Sequence, residues 1–156
     1  SKVDSTVEVL VSVRVGHVLP LYRAATGRVF LAYKSRAAIQ HIEQFETETD
    51  QATKERAEQS LDLIRQRQLA FSDSQINIGF ASISAPIFDY AGEIAAAVTV
   101  LGMKNDINLD PLGPTARLVS ATATSISLRL ACPPELLRTD FDATEGFLPI
   151  NEGRTR

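Results

Sequence analysis

Residues 79–102, GFASISAPIFDYAGEIAAAVTVLG, constrain the fold more than any other stretch of the chain. Two apolar runs, Gly79 to Phe88 and Ile94 to Leu101, are rich in Ala, Ile, Val, Ser and Thr and read as strands. Between them Asp89-Tyr90-Ala91-Gly92-Glu93 carries turn chemistry, because Asp can bond its own backbone and Gly is free to take positive φ. A hairpin this long and apolar belongs in the middle of a sheet. Three hydroxyls, Ser82, Ser84 and Thr99, lie inside it. A dry hydroxyl without a partner costs about 1–3 kcal/mol. Each therefore either bonds a neighbouring carbonyl or cross-strand mate, or points into a cavity and meets a ligand.

The rest of the chain supplies layers for that sheet. Residues 6–15, TVEVLVSVRV, alternate, with Val7, Val9, Val11, Val13 and Val15 on one side, as in a half-buried strand. The chain begins almost on this strand, so something is expected to precede it in the full gene product. Pro20 suits a helix start, and Leu21, Ala25, Arg28/Val29 and Ala32 follow at helical spacing. Gly27 inside that helix costs up to about 1 kcal/mol relative to Ala, so close packing or a ligand must account for it. Ser35 can cap a second helix over 36–46, with Ala38, Ile39, Ile42 and Phe45 as its buried stripe. A third helix spans about 50–68, with Asp50 as N-cap, Ala57, Leu61 and Ile64 inward, and Arg65 and Arg67 at the negative end of the dipole. His17 and His41 read as surface residues, and Ser72 to Gln75 as a loop or strand entry. Turn signals fill 102–113, and a last helix runs from about 111 to 131 on Ala116, Val119, Ala123, Ile126 and Leu130. The lack of charge from Leu118 to Leu128 argues that it is covered, against the sheet or by its own copy. Cys132 reads as a buried thiol at the end of that helix, and Pro133-Pro134 stops it. Residues 133–156 read as a tail, with Phe141, Phe147, Leu148 and Ile150 able to lie across a groove or a partner subunit. The order of elements is α+β, an antiparallel sheet flanked by helices and closed by a long C-terminal helix.

Composition narrows the function. A chain of 156 residues, 44% hydrophobic and 22% charged, fits one domain with a real core. Its net charge of −3 argues against gripping nucleic acid unaided. No apolar run approaches the roughly 18 residues of a membrane span. One cysteine excludes an intrachain disulfide framework, and with two widely separated histidines it makes a Cys/His zinc site a poor fit. There is no G-x-S-x-G elbow, no phosphate-binding G-x-x-x-x-G-K-[ST], no H-E-x-x-H and no G-x-G-x-x-G. The carboxylates cluster in polar linkers and neither histidine is placed as a base, so no catalytic residue, metal ligand or cofactor is expected. An apolar cavity with a few hydroxyls and backbone donors holds a small molecule without transforming it.

Three short motifs then stand in order: Arg14-Val15-Gly16 with Pro20-Leu21; Ala25 to Ala32 as A-x-G-[RK]-x-x-L-A; and Ala85 to Asp89 as A-P-[IV]-F-D. Together they resemble the effector-binding domain of IclR-type bacterial transcription regulators, over roughly residues 7–132. The resemblance implies a GAF-like fold for residues 1–132 and a cytoplasmic regulator whose DNA contacts come only through an N-terminal winged helix-turn-helix that this chain lacks. It also implies a small-molecule effector, often a carboxylate, and homodimers or homotetramers. Carried over position by position, its pocket falls on Ala25, Thr26 and Gly27 at the helix start and on Ser72 or Asp73 before the hairpin. It continues on Phe80 and Ser82 in the first hairpin strand and on Thr99 and Leu101 in the second. The family carries an acid at both 72 and 73, so Ser72 is a departure. Thr99 keeps a hydroxyl where serine is frequent, Leu101 loses one, and Phe80 is bulkier than leucine. The resemblance thus points to an acid on an apolar or aromatic body, held by Thr26, Ser82, Thr99 and backbone N–H groups.

Two other classes remain open at this level. One is a structural dimerisation module with a vestigial pocket, which the Ala-rich strands and apolar last helix allow. The other is a thiol-dependent enzyme on a GAF-like fold. For that, Cys132 fits poorly, because the C-terminus of a helix raises a thiol pKa.

Overall fold

The computed structural model describes residues 20–46, 49–73 and 78–138. The expected strand 6–15, His17 and the residues from 139 onward lie outside that set. The described elements are α1 (Ala25–Tyr33), α2 (Arg36–Glu43), α3 (Gln51–Arg67), β1 (Ala70–Asp73), β2 (Phe80–Phe88), β3 (Ile94–Met103) and α4 (Pro114–Arg129), followed by a short 3₁₀ turn, Pro134–Leu136. The three strands form an antiparallel sheet in the order β1-β2-β3. This is the α+β architecture expected, with β2 as its middle strand.

The hairpin forms as its sequence requires. Asp89 Oδ1 accepts from the amides of Ala91 at 2.9 Å and Glu93 at 3.0 Å, and Gly92 takes φ of 76°. Strand alternation divides the sheet into two faces. Ile83, Ala85 and Ile87 of β2, with Leu69 and Phe71, meet Ala116, Val119 and Ala123 of α4. Ala70, Phe88, Ile94 and Ala97 meet Ala25, Val29 and Ala32 of α1 and Ile64 of α3 on the other face. Where the strands shift register between Ile87 and Phe88, the freed Phe88 amide is taken by the Ser127 hydroxyl of α4 at 3.0 Å. A strand runs over Ala70–Asp73, so Ser72 is a paired strand residue rather than part of a loop.

Several boundaries differ from the sequence reading. Helix α1 starts at Ala25, not at Pro20, because residues 20–23 turn back over its first turn, with the Ala24 amide on the Pro20 carbonyl at 3.0 Å. That turn explains Gly27: a Cβ there would stand 2.3 Å from the Leu21 carbonyl oxygen. Helix α2 is capped by Ser35 as expected but ends at Glu43. Phe45 thereby leaves the helical register and is 63% exposed, edge-on to His41 at 5.7 Å, and only Ile39 of its expected stripe is buried. Asp50 caps α3 through Thr53, with Oδ1 accepting the amide at 2.9 Å and Oδ2 the hydroxyl at 2.8 Å.

Helix α4 departs furthest from its expectation. Only the Ala116, Val119 and Ala123 side packs on the sheet, and within this chain Leu118 and Leu128 are 65% and 47% exposed. The expected cover over its uncharged face is absent among the described residues. The stripe that reaches the sheet is narrow, and the opposite side is Ala121, Thr122 and Ser125, small enough to tolerate water. The helix ends with Ala131 at φ 60°, the Ala131 amide on Leu128 and the Cys132 amide on Ser127, both at 3.0 Å. This is a Schellman closure with alanine in the glycine position. Beyond it the chain still packs: Leu137 is buried in the α1 core, and Gln68 Nε2 donates to the Leu136 carbonyl at 2.7 Å. Residues 133–138 are thus part of the packed body.

Candidate functional site

The hydroxyls of the hairpin gather on the face covered by α1. Thr26 Oγ1 on the first turn of α1 lies 2.8 Å from Thr99 Oγ1 on β3, and Thr99 Oγ1 lies 2.9 Å from Ser84 Oγ on β2. Ser84 and Thr99 are cross-strand partners, which is why the two meet. Beside them, Ser82 stands between Ser72 of β1 and Leu101 of β3 in the register. The Ser72 hydroxyl donates to the Arg23 carbonyl at 3.2 Å, in the segment that enters α1. Ser82 is only 7% exposed, and among the described residues its hydroxyl has no hydrogen-bond partner. Phe80, half-buried opposite Met103, stands at the end of this row.

The start of α1 faces the same region. Ala24 stands at the N-cap and its side chain offers no hydrogen bond to the first-turn amides. Free amides at the positive end of a helix dipole favour an anion. One charged residue belongs to this end of the molecule too. Arg28 is buried, its Nη2 donates to the Phe71 carbonyl, and its Nε has no partner. Burial pushes its pKa down to about 10, which leaves it a cation at neutral pH.

Of the residues drawn from the sequence, Thr26 and Thr99 are in contact, and the strand register puts Phe80, Ser82 and Leu101 on the same α1 face, Leu101 half exposed. Ala25 lies beside them but is packed into the core with Val29. Gly27 is occupied by the Leu21 backbone. Asp73 is separated from the rest. It pairs with Ala81, so alternation turns it to the α4 face, where it makes an ion pair with Lys104 at 2.7 Å. Of the two alternatives before the hairpin, Ser72 is the one on the α1 face. The Ser84–Thr99 bond is the cross-strand pairing that the sequence allowed for these hydroxyls, whereas Arg28 was not singled out as a site residue. A cation written into the apolar spacing of Ala25, Val29 and Ala32 was the available signal for Arg28.

Cys132 is buried, and burial, with Asp89 and Glu135 nearby, raises its pKa away from the reactive thiolate. No group of three His, Cys, Asp or Glu side chains that could hold a metal exists among the described residues.

Comparison with known proteins decides the family. A family-wide sequence model described as the bacterial transcriptional regulator IclR C-terminal matches residues 1–128. The chain belongs to the IclR family of bacterial transcriptional regulators. It is 28% identical over 137 residues to the HTH-type transcriptional regulator KipR of Bacillus subtilis, covering 83% of this chain and 54% of that protein. It is 29% identical over 105 residues to the HTH-type transcriptional regulator KdgR of Dickeya chrysanthemi, covering 64% of this chain and 34% of that protein. The crystal structure of Pseudomonas aeruginosa HmgR superposes with a TM-score of 0.69 at 32% identity, covering 80% of this chain and 51% of that one. The C-terminal domain of Escherichia coli KdgR superposes with a TM-score of 0.58 at 22% identity, a likeness of fold alone. The chain thus spans about half or less of the length of the curated IclR-family relatives it matches. The family is one of regulators rather than enzymes, and its C-terminal domain carries the antiparallel α+β fold described above. No described helix is long and apolar enough to cross a membrane.

Proposed function

We propose that this domain is the ligand sensor of a cytoplasmic IclR-type regulator. It binds a small organic acid on an apolar or aromatic body and thereby changes operator binding by an N-terminal helix-turn-helix. The observation that carries this is the unpartnered Ser82 hydroxyl beneath an uncapped helix start, beside the Thr26–Thr99–Ser84 row. A hydroxyl that makes no bond within the fold is free to bond a ligand or water that reaches it. Thr26, Ser82 and Thr99 would hold the polar end of the effector, with Phe80 and Leu101 lining its body. To act as a switch, the effector must bind the states of the homodimer or homotetramer with different affinities.

A thermal-shift screen against keto acids, aromatic acids and sugar acids tests the reading. Ligand at 100 times its dissociation constant adds about 2.7 kcal/mol. That corresponds to a rise of several degrees, at about 2–4 °C per kcal/mol. A selective rise for one class of acid, lost in Thr99→Val, is the expected result. A Thr99→Val variant with unchanged affinity counts heavily against the placement.

A second reading rests on the exposed, uncharged face of α4, Leu118 to Leu128. In that reading the domain is a dimerisation module with a vestigial pocket. A flat screen together with a dimer that Leu118→Glu dissociates favours it.

A further inference from the structure

The α1 face holds a charge that no described residue balances. Arg28 is 5% exposed, yet among the described residues no carboxylate stands within ion-pair distance of it. Its one hydrogen bond runs to a neutral acceptor, the Phe71 carbonyl, and its buried Nε is left without a partner. A buried charge is ordinarily paired, because leaving it alone forfeits hydration with no return. Among the described residues none of the nearby acids forms an ion pair with it. Glu43 accepts from the Tyr22 hydroxyl, Glu46 accepts from the Leu21 amide at 2.8 Å through Oε1 and leaves its own buried Oε2 without a partner, and Asp73 pairs with Lys104 on the far face of the sheet.

The position of the charge links it to the site. Phe71 is followed by Ser72, which turns to the α1 face, bonds Arg23 at the entry to α1, and stands across from the unpartnered Ser82. The guanidinium therefore anchors at the β1 side of the same helix start whose β3 side carries Thr26 and Thr99. We propose that Arg28 is the specificity-determining residue of the effector site, its planar fork pairing with the acid group of the ligand. The effector is then obligatorily an anion, and its uncharged amide does not bind. An Arg fork matches a carboxylate with two parallel hydrogen bonds, which adds geometry to charge. This deepens the sensor reading and rests on it.

The test uses matched pairs, benzoate with benzamide and phenylacetate with phenylacetamide, in thermal shift and calorimetry on the whole chain. Three proteins are compared: wild type, Arg28→Met and Ser72→Asp. The last places a carboxylate next to Phe71, where it can neutralise Arg28 from within. In the wild type an acid raises the melting temperature and its amide does not. Arg28→Met weakens acid binding at least about tenfold, the scale of a lost charge-assisted hydrogen bond, without lowering the ligand-free melting temperature. Ser72→Asp raises the ligand-free melting temperature and removes the acid response. An acid response that survives Ser72→Asp and Arg28→Met overturns the assignment while leaving the sensor intact. So does an Arg28→Met protein that melts several degrees lower, since Arg28 would then be a strut holding β1 to α1. A flat panel with a stabilising Ser72→Asp counts against these acids as effectors, yet supports a charge that awaits an anion.

Discussion

The Ser127 hydroxyl on α4 accepts the Phe88 amide of β2 at 3.0 Å and donates to the Ala123 carbonyl at 2.8 Å. Phe88 sits where the β2–β3 register shifts, so its amide is not served by a regular ladder. Ser127 is fully buried, and water has no ready route to replace it. The residue is thus the joint between α4 and the bulged end of the hairpin.

Ser127→Ala is expected to destabilise the domain by about 1–3 kcal/mol, the cost of a buried donor left unsatisfied. Urea denaturation of the variant checks this. A midpoint within error of the wild type would mean that the Phe88 amide finds another acceptor.

Gly27→Ala should be far worse than its small volume suggests. The added methyl would stand 2.3 Å from the Leu21 carbonyl oxygen and 2.7 Å from the Leu21 Cα, both backbone atoms with little room to give. Overpacking of this kind costs about 3 kcal/mol or more. Circular dichroism melts provide the measurement, and a variant that melts with the wild type would show that residues 20–23 can lift off α1.

Much of the fold was legible because it rests on local chemistry. The Asp89–Gly92 turn, the Ser35 and Asp50 caps and the alternation of β2 all declare themselves within a few residues. What was not legible depended on contacts distant in sequence. The start of α1 moved because Leu21 folds onto Gly27, and Phe45 emerged because α2 stops at Glu43 before its stripe is complete. The polarity of position 73 looked suited to a pocket, but pairing with Ala81 turned it to the opposite face. Thr26 and Thr99 are 73 positions apart, and only the crossing of α1 over β3 brings them to 2.8 Å. Arg28 illustrates the same limit: its sequence context shows a cation among apolar neighbours, and only the packed structure shows that no acid among the described residues meets it.

Ala131→Gly is expected to stabilise the protein. Ala131 holds φ of 60° to close α4, with the Cys132 amide on Ser127 and its own amide on Leu128. A left-handed conformation costs a residue with a Cβ about 1–2 kcal/mol, and glycine avoids that cost. The gain is partly offset by the greater freedom of glycine in the unfolded chain, leaving about 1 kcal/mol, or about 2–4 °C in melting temperature. A variant that melts lower than the wild type would show that the alanine methyl makes packing contacts worth more than the strain.

Alkaline pH should unfold the domain through its tyrosines. Burial first, then the neighbouring Glu43, pushes the Tyr22 phenol up to about 12. Burial likewise raises Tyr33 to about 12, with its hydroxyl donating to the Arg65 carbonyl at 3.2 Å. In the unfolded chain both ionise near the ordinary value of 10.0. The folded pKa values are the higher ones, so the stability they contribute is fully present below about pH 10 and is lost as pH rises towards 12. Phenolate absorbance followed against pH should show late ionisation coinciding with loss of helical signal. Tyr33→Phe should make the denaturant midpoint fall less steeply over that interval. If all the tyrosines instead ionised in one step near 10 with the fold intact, neither Tyr22 nor Tyr33 would be held as described.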